Sequence, residues 1–211
     1  MDKTTYQDSL LDRLFIQLFT RKMAKAVGAG AQRSGYDGFV ELSQKIMQGR
    51  GAQEQQQLVA VVLQSLVPSP VLWGIRTFTA PTRLVCELNA WFATQLFEWL
   101  VGPCEVQSAE IATDSGHRRQ NSAVHIKKCR YLEQSGCVGM CVNMCKLPTQ
   151  KFFTEQFGIP LTMTPNFEDL SCDMVFGQPP SSLETEEAYQ QPCLVECAAA
   201  SPAAACPKVR A

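Results

Sequence analysis

Three cysteines at regular spacing are the residues of this sequence best suited to chemistry. Cys137, Cys141 and Cys145 follow one another at intervals of four residues, and Gly136 and Gly139 stand beside them. Thiolates are soft ligands that suit zinc or an iron–sulfur cluster. The spacing therefore predicts a metal centre. Other thiols that could contribute to it follow in the C-terminal part of the chain, at Cys172, Cys193 and Cys197.

The geometry of a regular helix limits how these thiols can converge. Residues four apart lie on one helix face, about 6 Å apart along the axis, which would leave Cys137 and Cys145 about 12 Å apart. We therefore expect a loop around Cys137–Cys141 that passes into a helix near Cys145, with the glycines allowing the non-helical backbone. Cys172, Cys193 or Cys129 would supply a fourth ligand. The three-residue gaps favour a cluster slightly over zinc.

Composition excludes some classes of protein. The chain has 211 residues, enough for one domain with a sizeable core, and a net charge of −1 without a basic run, which argues against nucleic acid as a partner. The segment 1–5 has no apolar signal core, and nothing resembles a transit peptide. Without signs of export, ten cysteines favour metal binding or redox chemistry over disulfides.

Hydrophobic periodicity predicts an α+β fold, in which a helical N-terminal half packs on a small antiparallel sheet and a cysteine-rich C-terminal half follows. Asp37 is the expected N-cap of the second helix. Helices are predicted over 6–27, 36–48, 53–66, 81–101 and 148–156, and strands over 105–111, 123–131, 161–164 and 172–176. The expected divisions are N-terminal helices in 1–58, a cysteine-rich domain in 59–197 and a disordered Ala/Pro tail in 198–211.

The helix predicted over 81–101 is rich in large apolar side chains, among them Trp91, Phe92 and Trp99. It is too polar to span a membrane, which takes about 20 mostly apolar residues. Two interpretations stay open: a core helix buried on most sides, or a helix whose aromatic side lines a lipid-sized groove or meets a membrane surface. Phe152 and Phe153 are expected to pack inward.

The two histidines give weaker signals. His125 shares a face of the predicted strand 123–131 with Cys129, which would make it a ligand, a base or a neighbour of the thiols. An exposed or hydrogen-bonded strand histidine is the simpler interpretation. His117 is expected to be solvated in a polar loop, and Met140 and Met144 are expected to fill the core.

Longer runs of sequence resemble a known family. The runs 129–150, 165–169, 171–172 and 191–193 resemble the plastid β-carotene isomerase family of the strigolactone pathway, the dwarf-twenty-seven proteins and their paralogues. The resemblance covers roughly residues 60–197 and rests on long matching runs, in addition to cysteine spacing.

The resemblance implies an iron-dependent chloroplast enzyme that reversibly converts all-trans-β-carotene, or a related carotenoid, to the 9-cis isomer. Carotenoid cleavage enzymes would consume the product downstream. We expect an iron centre in the form of an iron–sulfur cluster, and an apolar substrate channel. The expected iron ligands are Cys137, Cys141 and Cys145 with Cys172 or Cys193; the expected channel residues are Trp91, Phe92, Trp99, Phe152 and Phe153.

The solubility of the expected substrate also predicts where in the cell the protein acts. Carotenoids dissolve in membranes, so we expect peripheral membrane contact, through the first amphipathic helix or through exposed apolar patches. Two other classes of function stay open from the residues alone. One is a non-catalytic protein that zinc or a cluster stabilises, and the other is a thiol redox sensor or a disulfide protein.

Overall fold

The computed structural model describes residues 4–78, 80–113, 116–182, 186–194, 206 and 209. It divides into two compact units, each assembled from separate stretches of chain. The first unit comprises Met1–Leu66, Arg130–Pro148 and Glu186–Ala211, and the second comprises Val67–Cys129 and Thr149–Thr185. Helices and one antiparallel sheet make up the fold, so the predicted α+β class is confirmed.

The helices before the sheet are α1 (Leu10–Val27), α2 (Gly35–Met47), α3 (Ala52–Leu66), α4 (Ser69–Phe78), α5 (Arg83–Leu96) and α6 (Glu98–Val101). Strands β1 (Cys104–Thr113) and β2 (Gly116–Ile126) follow, and then α7 (Arg130–Ser135), α8 (Val138–Met140) and the π-helix π1 (Cys141–Lys146). The remaining elements are α9 (Leu147–Phe152), the π-helix π2 (Phe153–Phe157), β3 (Leu161–Pro165), β4 (Cys172–Phe176) and a 3₁₀ helix (Glu187–Gln190).

Several predicted boundaries are wrong for local reasons. Asp37 lies inside the first turn of α2, because the helix already begins after Ser34. The helix predicted over 81–101 is interrupted at Phe97, where the backbone leaves helical geometry between α5 and α6. The strand predicted to reach residue 131 ends at Ile126, and its start moves back into the predicted loop, since β2 begins at Gly116.

Helix α1 begins and ends at clear signals but turns an unexpected side inward. Ser9 and Asp12 form a capping box at its start, and Gly28, with φ 74°, ends it. Ile16 and Met23 are buried, whereas the leucines that repeat through the first half of the helix are exposed. The apolar arc of α1 is thus wider than the side that the first unit buries. The exposed leucines are Leu10, Leu11, Leu14 and Leu18.

The sheet of the second unit has the strand order β1-β2-β4-β3, and every pair is antiparallel. The end of β2 is central, because Ala123 pairs with Val175 and Ile126 pairs with Cys172. Val124 and Ile126 are buried while His125 between them is partly exposed, which confirms the predicted alternation.

Helix α5 packs on this sheet with its smallest side chains. Cys86, Ala90 and Ala93 are buried, together with Thr94. Small side chains let a helix axis approach the sheet closely, and the large apolar residues of α5 are left on the opposite side. The tail predicted to be disordered, 198–211, lies outside the described residues except for Cys206 and Val209, which are both buried.

Gly177, directly after β4, gives a test of this packing. Its φ is +91°, and a Cβ atom there would meet the Cys86 Sγ at 3.0 Å and the Gln120 Nε2 at 3.2 Å. Gly158 also has a positive φ, of +69°, but open space around it. We expect Gly177→Ala to lower the free energy of unfolding by about 1 kcal/mol more than Gly158→Ala does, as measured by urea denaturation. Equal losses would mean that α5 does not pack tightly at Cys86.

Candidate functional site

The thiol segment of the first unit is helical almost throughout. Gly136, with φ 57°, ends α7, and its N–H donates to the Leu132 carbonyl at 2.9 Å. Cys137 is extended, and the next helix begins at Val138. The loop predicted around Cys137–Cys141 is therefore wrong, because one left-handed glycine reverses the chain and the Cys141 N–H already donates to the Cys137 carbonyl at 3.1 Å.

The helix widens into a π-helix at two of the three thiols. Cys141 and Cys145 both belong to π1, and the Leu147 N–H donates to the Val142 carbonyl, five residues back. Pro148 follows directly, and a proline within a helix has no N–H to donate and crowds the carbonyl four residues earlier. A π-turn just before it gives the ring room. The widened turn also departs from the regular helix spacing that would keep these thiols in separate turns.

Tyr131, on α7, is a buried residue whose pKa is affected by all three thiols. Burial raises the pKa of Tyr131 well above its ordinary value of 10.0. A hydrogen bond with Ser43 lowers that pKa, and the nearby Cys145, Cys141 and Cys137 raise it further, because an anionic sulfur beside a phenolate is unfavourable. All three of these predicted ligands thus lie near enough to the buried Tyr131 hydroxyl to act on its pKa. The centre of the Phe39 ring lies 5.7 Å from that of Tyr131.

The chemistry of these donors suits a metal better than their present arrangement does. Thiols and a phenol are all ligands or hydrogen-bond donors of iron and zinc centres. In the part of the chain that the structure describes, however, no three His, Cys, Asp or Glu side chains are arranged to hold a metal ion. Metal binding at this cluster would therefore require side chains to turn towards a common point.

The remaining predicted ligands lie elsewhere. Cys193 is a buried residue of the first unit, after the 3₁₀ helix, and Cys172 begins β4 in the second unit. Cys129 follows the end of β2, and its N–H donates to the Leu170 carbonyl at 2.7 Å. His125 does not share a strand face with Cys129, since the strand has ended; its Nδ1 lies 2.7 Å from Asp173 Oδ1 on β4. Cys197 is outside the described residues.

Two buried polar contacts hold π1 in place. Lys146 donates from Nζ to the Glu186 carboxylate at 2.5 Å, and the two side chains are only 6% and 8% exposed. The Asn143 side-chain amide donates to Gln55 Oε1 on α3 at 2.9 Å. These contacts fix the helix that carries Cys141 and Cys145 to α3 on one side and to the C-terminal segment on another.

A second pair of buried charges anchors α7, and with it Tyr131. Arg130 binds both carboxylate oxygens of Asp8, at 2.5 and 3.1 Å, and its guanidinium lies 3.8 Å from the centre of the Tyr36 ring. Glu133 accepts hydrogen bonds from the N–H and hydroxyl of Thr4 and from the Tyr6 hydroxyl, each at 2.9 Å. The N-terminal segment 4–8 is thereby fastened along α7.

The five predicted substrate residues all belong to the second unit, but they fall into two groups. Trp99, Phe152 and Phe153 are buried, and Phe152 and Phe153 meet edge to face with ring centres 6.3 Å apart. Trp91 and Phe92 lie on the outward side of α5, with ring centres 4.9 Å apart. They form part of an apolar stripe that is 41–65% exposed: Leu84, Leu88, Trp91, Phe92 and Leu96. We call this set the α5 stripe.

Sequence reasoning missed Tyr131 and the Lys146–Glu186 pair as parts of the site. The sequence pattern predicts a strand that includes Tyr131, although this residue lies in the same run of sequence as the thiols. A lysine beside Cys145 is expected from the sequence to be solvated, because its buried partner comes forty positions later.

Within the described residues, no single helix is both long and apolar enough to cross a membrane; α3 and α4 meet that test only together, as a bent pair.

Comparisons with known proteins find two similar chains and one family model. A protein named β-carotene isomerase D27, chloroplastic, from Medicago truncatula is 41% identical over 194 residues, which cover 92% of this chain and 75% of that protein. The protein of the same name from Arabidopsis thaliana is 35% identical, over 90% of this chain and 72% of its own. Residues 99–185 match the family model described as β-carotene isomerase D27-like, C-terminal. No solved structure matches.

The buried ion pair gives a prediction about the thiol helix. Glu186→Gln should lower the free energy of unfolding by about 3 kcal/mol, because it leaves the Lys146 ammonium buried without its counter-charge. Glu155→Gln, in the exposed Lys151–Glu155 pair at 4.0 Å, should cost less than about 0.5 kcal/mol. Denaturation curves of both variants test this, and equal small losses would show that the pair is solvated.

The environment of Tyr131 gives a prediction about alkaline pH. A folded-state pKa above the unfolded value of 10.0 means that the stabilisation is fully present below that pH and is lost as pH rises through the folded value. Tyr131→Phe should therefore remove part of the fall in stability above about pH 10. Urea midpoints of both proteins across that range measure it. Parallel curves would contradict the burial of the hydroxyl.

Proposed function

The chain belongs to the β-carotene isomerase D27 family, and we propose that it interconverts the all-trans and 9-cis isomers of β-carotene or a related carotenoid. The resemblance predicted from the residues is thereby confirmed. The observation that carries the proposed activity is the similarity to two proteins named as β-carotene isomerases over nine-tenths of this chain. Both are named as chloroplastic, and we place this protein in the plastid on the same ground.

A polyene substrate needs apolar contacts, because it offers no polar group to bind. We propose that Trp91 and Phe92 on the α5 stripe, together with the buried Trp99, Phe152 and Phe153, supply them. Aromatic faces suit a flat conjugated chain, and a large exposed apolar stripe is typical of surfaces that take up apolar ligands. The protein's part in isomerisation is to hold the polyene, fix the bond that turns and exclude water.

We propose that the protein is iron-dependent and holds iron, as a cluster, through Cys137, Cys141 and Cys145 with Cys172 or Cys193. The first part of this ligand set is supported by the effect that all three thiols have on the pKa of the buried Tyr131. Thiolate ligation suits iron–sulfur clusters. Since the thiols are not arranged as a site in their present rotamers, no catalytic step is assigned to the metal.

The remaining parts of the proposal concern the fate of the product and the place where the protein meets its substrate. The 9-cis product would be consumed by carotenoid cleavage enzymes on the way to strigolactones. The substrate dissolves in lipid, so the protein would meet the membrane at its surface. The first expectation is what the family resemblance implies, and the second follows from the solubility of carotenoids in lipid.

Replacing one thiol tests the metal and the activity together. Cys141→Ser should abolish iron binding and isomerisation while the protein stays folded, because a hydroxyl is a poor ligand for iron where a thiolate is needed. Iron content, the visible absorption of anaerobically purified protein and chromatographic separation of the carotenoid isomers are the measurements.

Cys104→Ser is the matched control, since Cys104 lies at the start of β1 in the second unit and is outside the proposed ligand set. It should keep both iron and activity. If Cys141→Ser retains activity, the iron-dependent proposal is wrong. A folded, colourless wild-type protein that contains zinc and turns over no carotenoid would favour the non-catalytic, metal-stabilised alternative.

A further inference from the structure

Helix α1 exposes a leucine surface that the described residues of the first unit leave uncovered. Leu10, Leu14 and Leu18 lie one helical turn apart and therefore on one side. Leu10 is 85% exposed and Leu14 61% exposed, although α1 packs against α2 and α3 through Ile16 and Met23 on another side. Burying leucine side chains is favourable. A large apolar area that stays exposed to water on an ordered helix therefore indicates a surface that meets an apolar partner.

The same outward side changes from apolar to cationic along the helix. Arg21 and Lys25 continue the line of Leu14 and Leu18 at helical spacing, and both are exposed. Within α1 as a whole, four cationic side chains stand against one carboxylate, Asp12, which is engaged in the capping box with Ser9. Because the whole chain carries a net charge of −1, this helix is a local concentration of positive charge.

We propose that α1 is the segment by which the protein docks on an anionic lipid bilayer, with Leu10, Leu14 and Leu18 in the acyl boundary and Arg21 and Lys25 at the headgroups. Leucines on one part of an exposed helix face and cations on the rest match the chemistry of a bilayer surface, which is apolar inside and anionic outside. The charge distinguishes this partner from an apolar groove of another protein, which would not require the cations.

The α5 stripe is the competing surface for the same partner. It is apolar and aromatic, but the charged side chains of α5 are the mutually paired Arg83 and Glu87, 2.9 Å apart. That pair offers no net charge for anionic lipid. We therefore assign docking to α1 and leave the α5 stripe to the carotenoid. The inference rests on the proposed function only in taking the membrane as the source of substrate.

Flotation with lipid vesicles tests the assignment. Full-length protein is mixed with vesicles of phosphatidylcholine alone or of phosphatidylcholine with phosphatidylglycerol. Wild type should float with the mixed vesicles and lose this binding as salt is raised. Leu10→Ser with Leu14→Ser should weaken binding at least about tenfold, since two leucines no longer enter hydrocarbon. Arg21→Gln with Lys25→Gln should weaken it about tenfold on anionic vesicles alone.

Two control variants make the result specific. Leu84→Ser with Leu88→Ser removes the same number of exposed leucines from the α5 stripe, and Lys127→Gln with Lys151→Gln removes equal charge from exposed sites of the second unit. Both should float like wild type. Loss of flotation in the α5 variant but not in the α1 variant would overturn the proposal. So would a concentration-dependent dimer that Leu10→Ser with Leu14→Ser dissociates, because a second copy would then cover the leucines.

Isomerisation of detergent-dispersed carotenoid separates this inference from the proposed function. The α1 variants should convert dispersed carotenoid at the wild-type rate, since the substrate then no longer comes from a bilayer. Wild type that isomerises but does not float would overturn the docking proposal and leave the activity standing. Wild type that floats through α1 but never isomerises would leave docking standing and remove the activity.

Discussion

The burial of the Tyr131 hydroxyl in the neighbourhood of three thiols is the constraint around which the first unit is organised. Gly136, with φ 57°, and the extended Cys137 separate α7, which carries Tyr131, from the helix that carries Cys141 and Cys145. Ser43 on α2 hydrogen-bonds the Tyr131 hydroxyl, which adds a third element to the cluster. Each of these parts is separately fastened by a buried polar contact, so their relative positions do not depend on the thiols alone.

The second unit differs from the first, because it keeps large apolar side chains exposed on α5 and also has a buried core. Helix α5 does so by giving its small residues to the sheet and its large ones to the outside, the reverse of an ordinary amphipathic arrangement. The core of this unit is completed by the β2, β4 and π2 side chains around Phe176, which is fully buried and meets the Phe153 ring at 5.4 Å.

Local sequence signals predicted which elements exist better than they predicted which side each one buries. The end of α1, the strand alternation around His125 and the α+β class follow from periodicity and stop signals, since those are properties of short stretches, whereas the start of α1 lies at Leu10 and not at the predicted residue 6. The π-turn at Cys141 and the burial of Lys146 depend on a proline downstream and a carboxylate forty positions away. The outward leucines of α1 and the outward aromatics of α5 were among the alternatives left open by the sequence, because periodicity reveals an apolar side but not whether a neighbour covers it.

The π-turn over Cys141–Lys146 amounts to one residue more than an α-helix of the same reach would hold. Each α-helical residue turns the chain by about 100°. Losing one residue here would let the segment close into an α-helical turn of the same reach, so α8 and α9 would keep their register while the residues between them would change their spacing around the helix axis. The length of this segment is thus a part of the site alongside its cysteines, because the extra residue sets how Cys141, Cys145 and Lys146 are distributed around the helix.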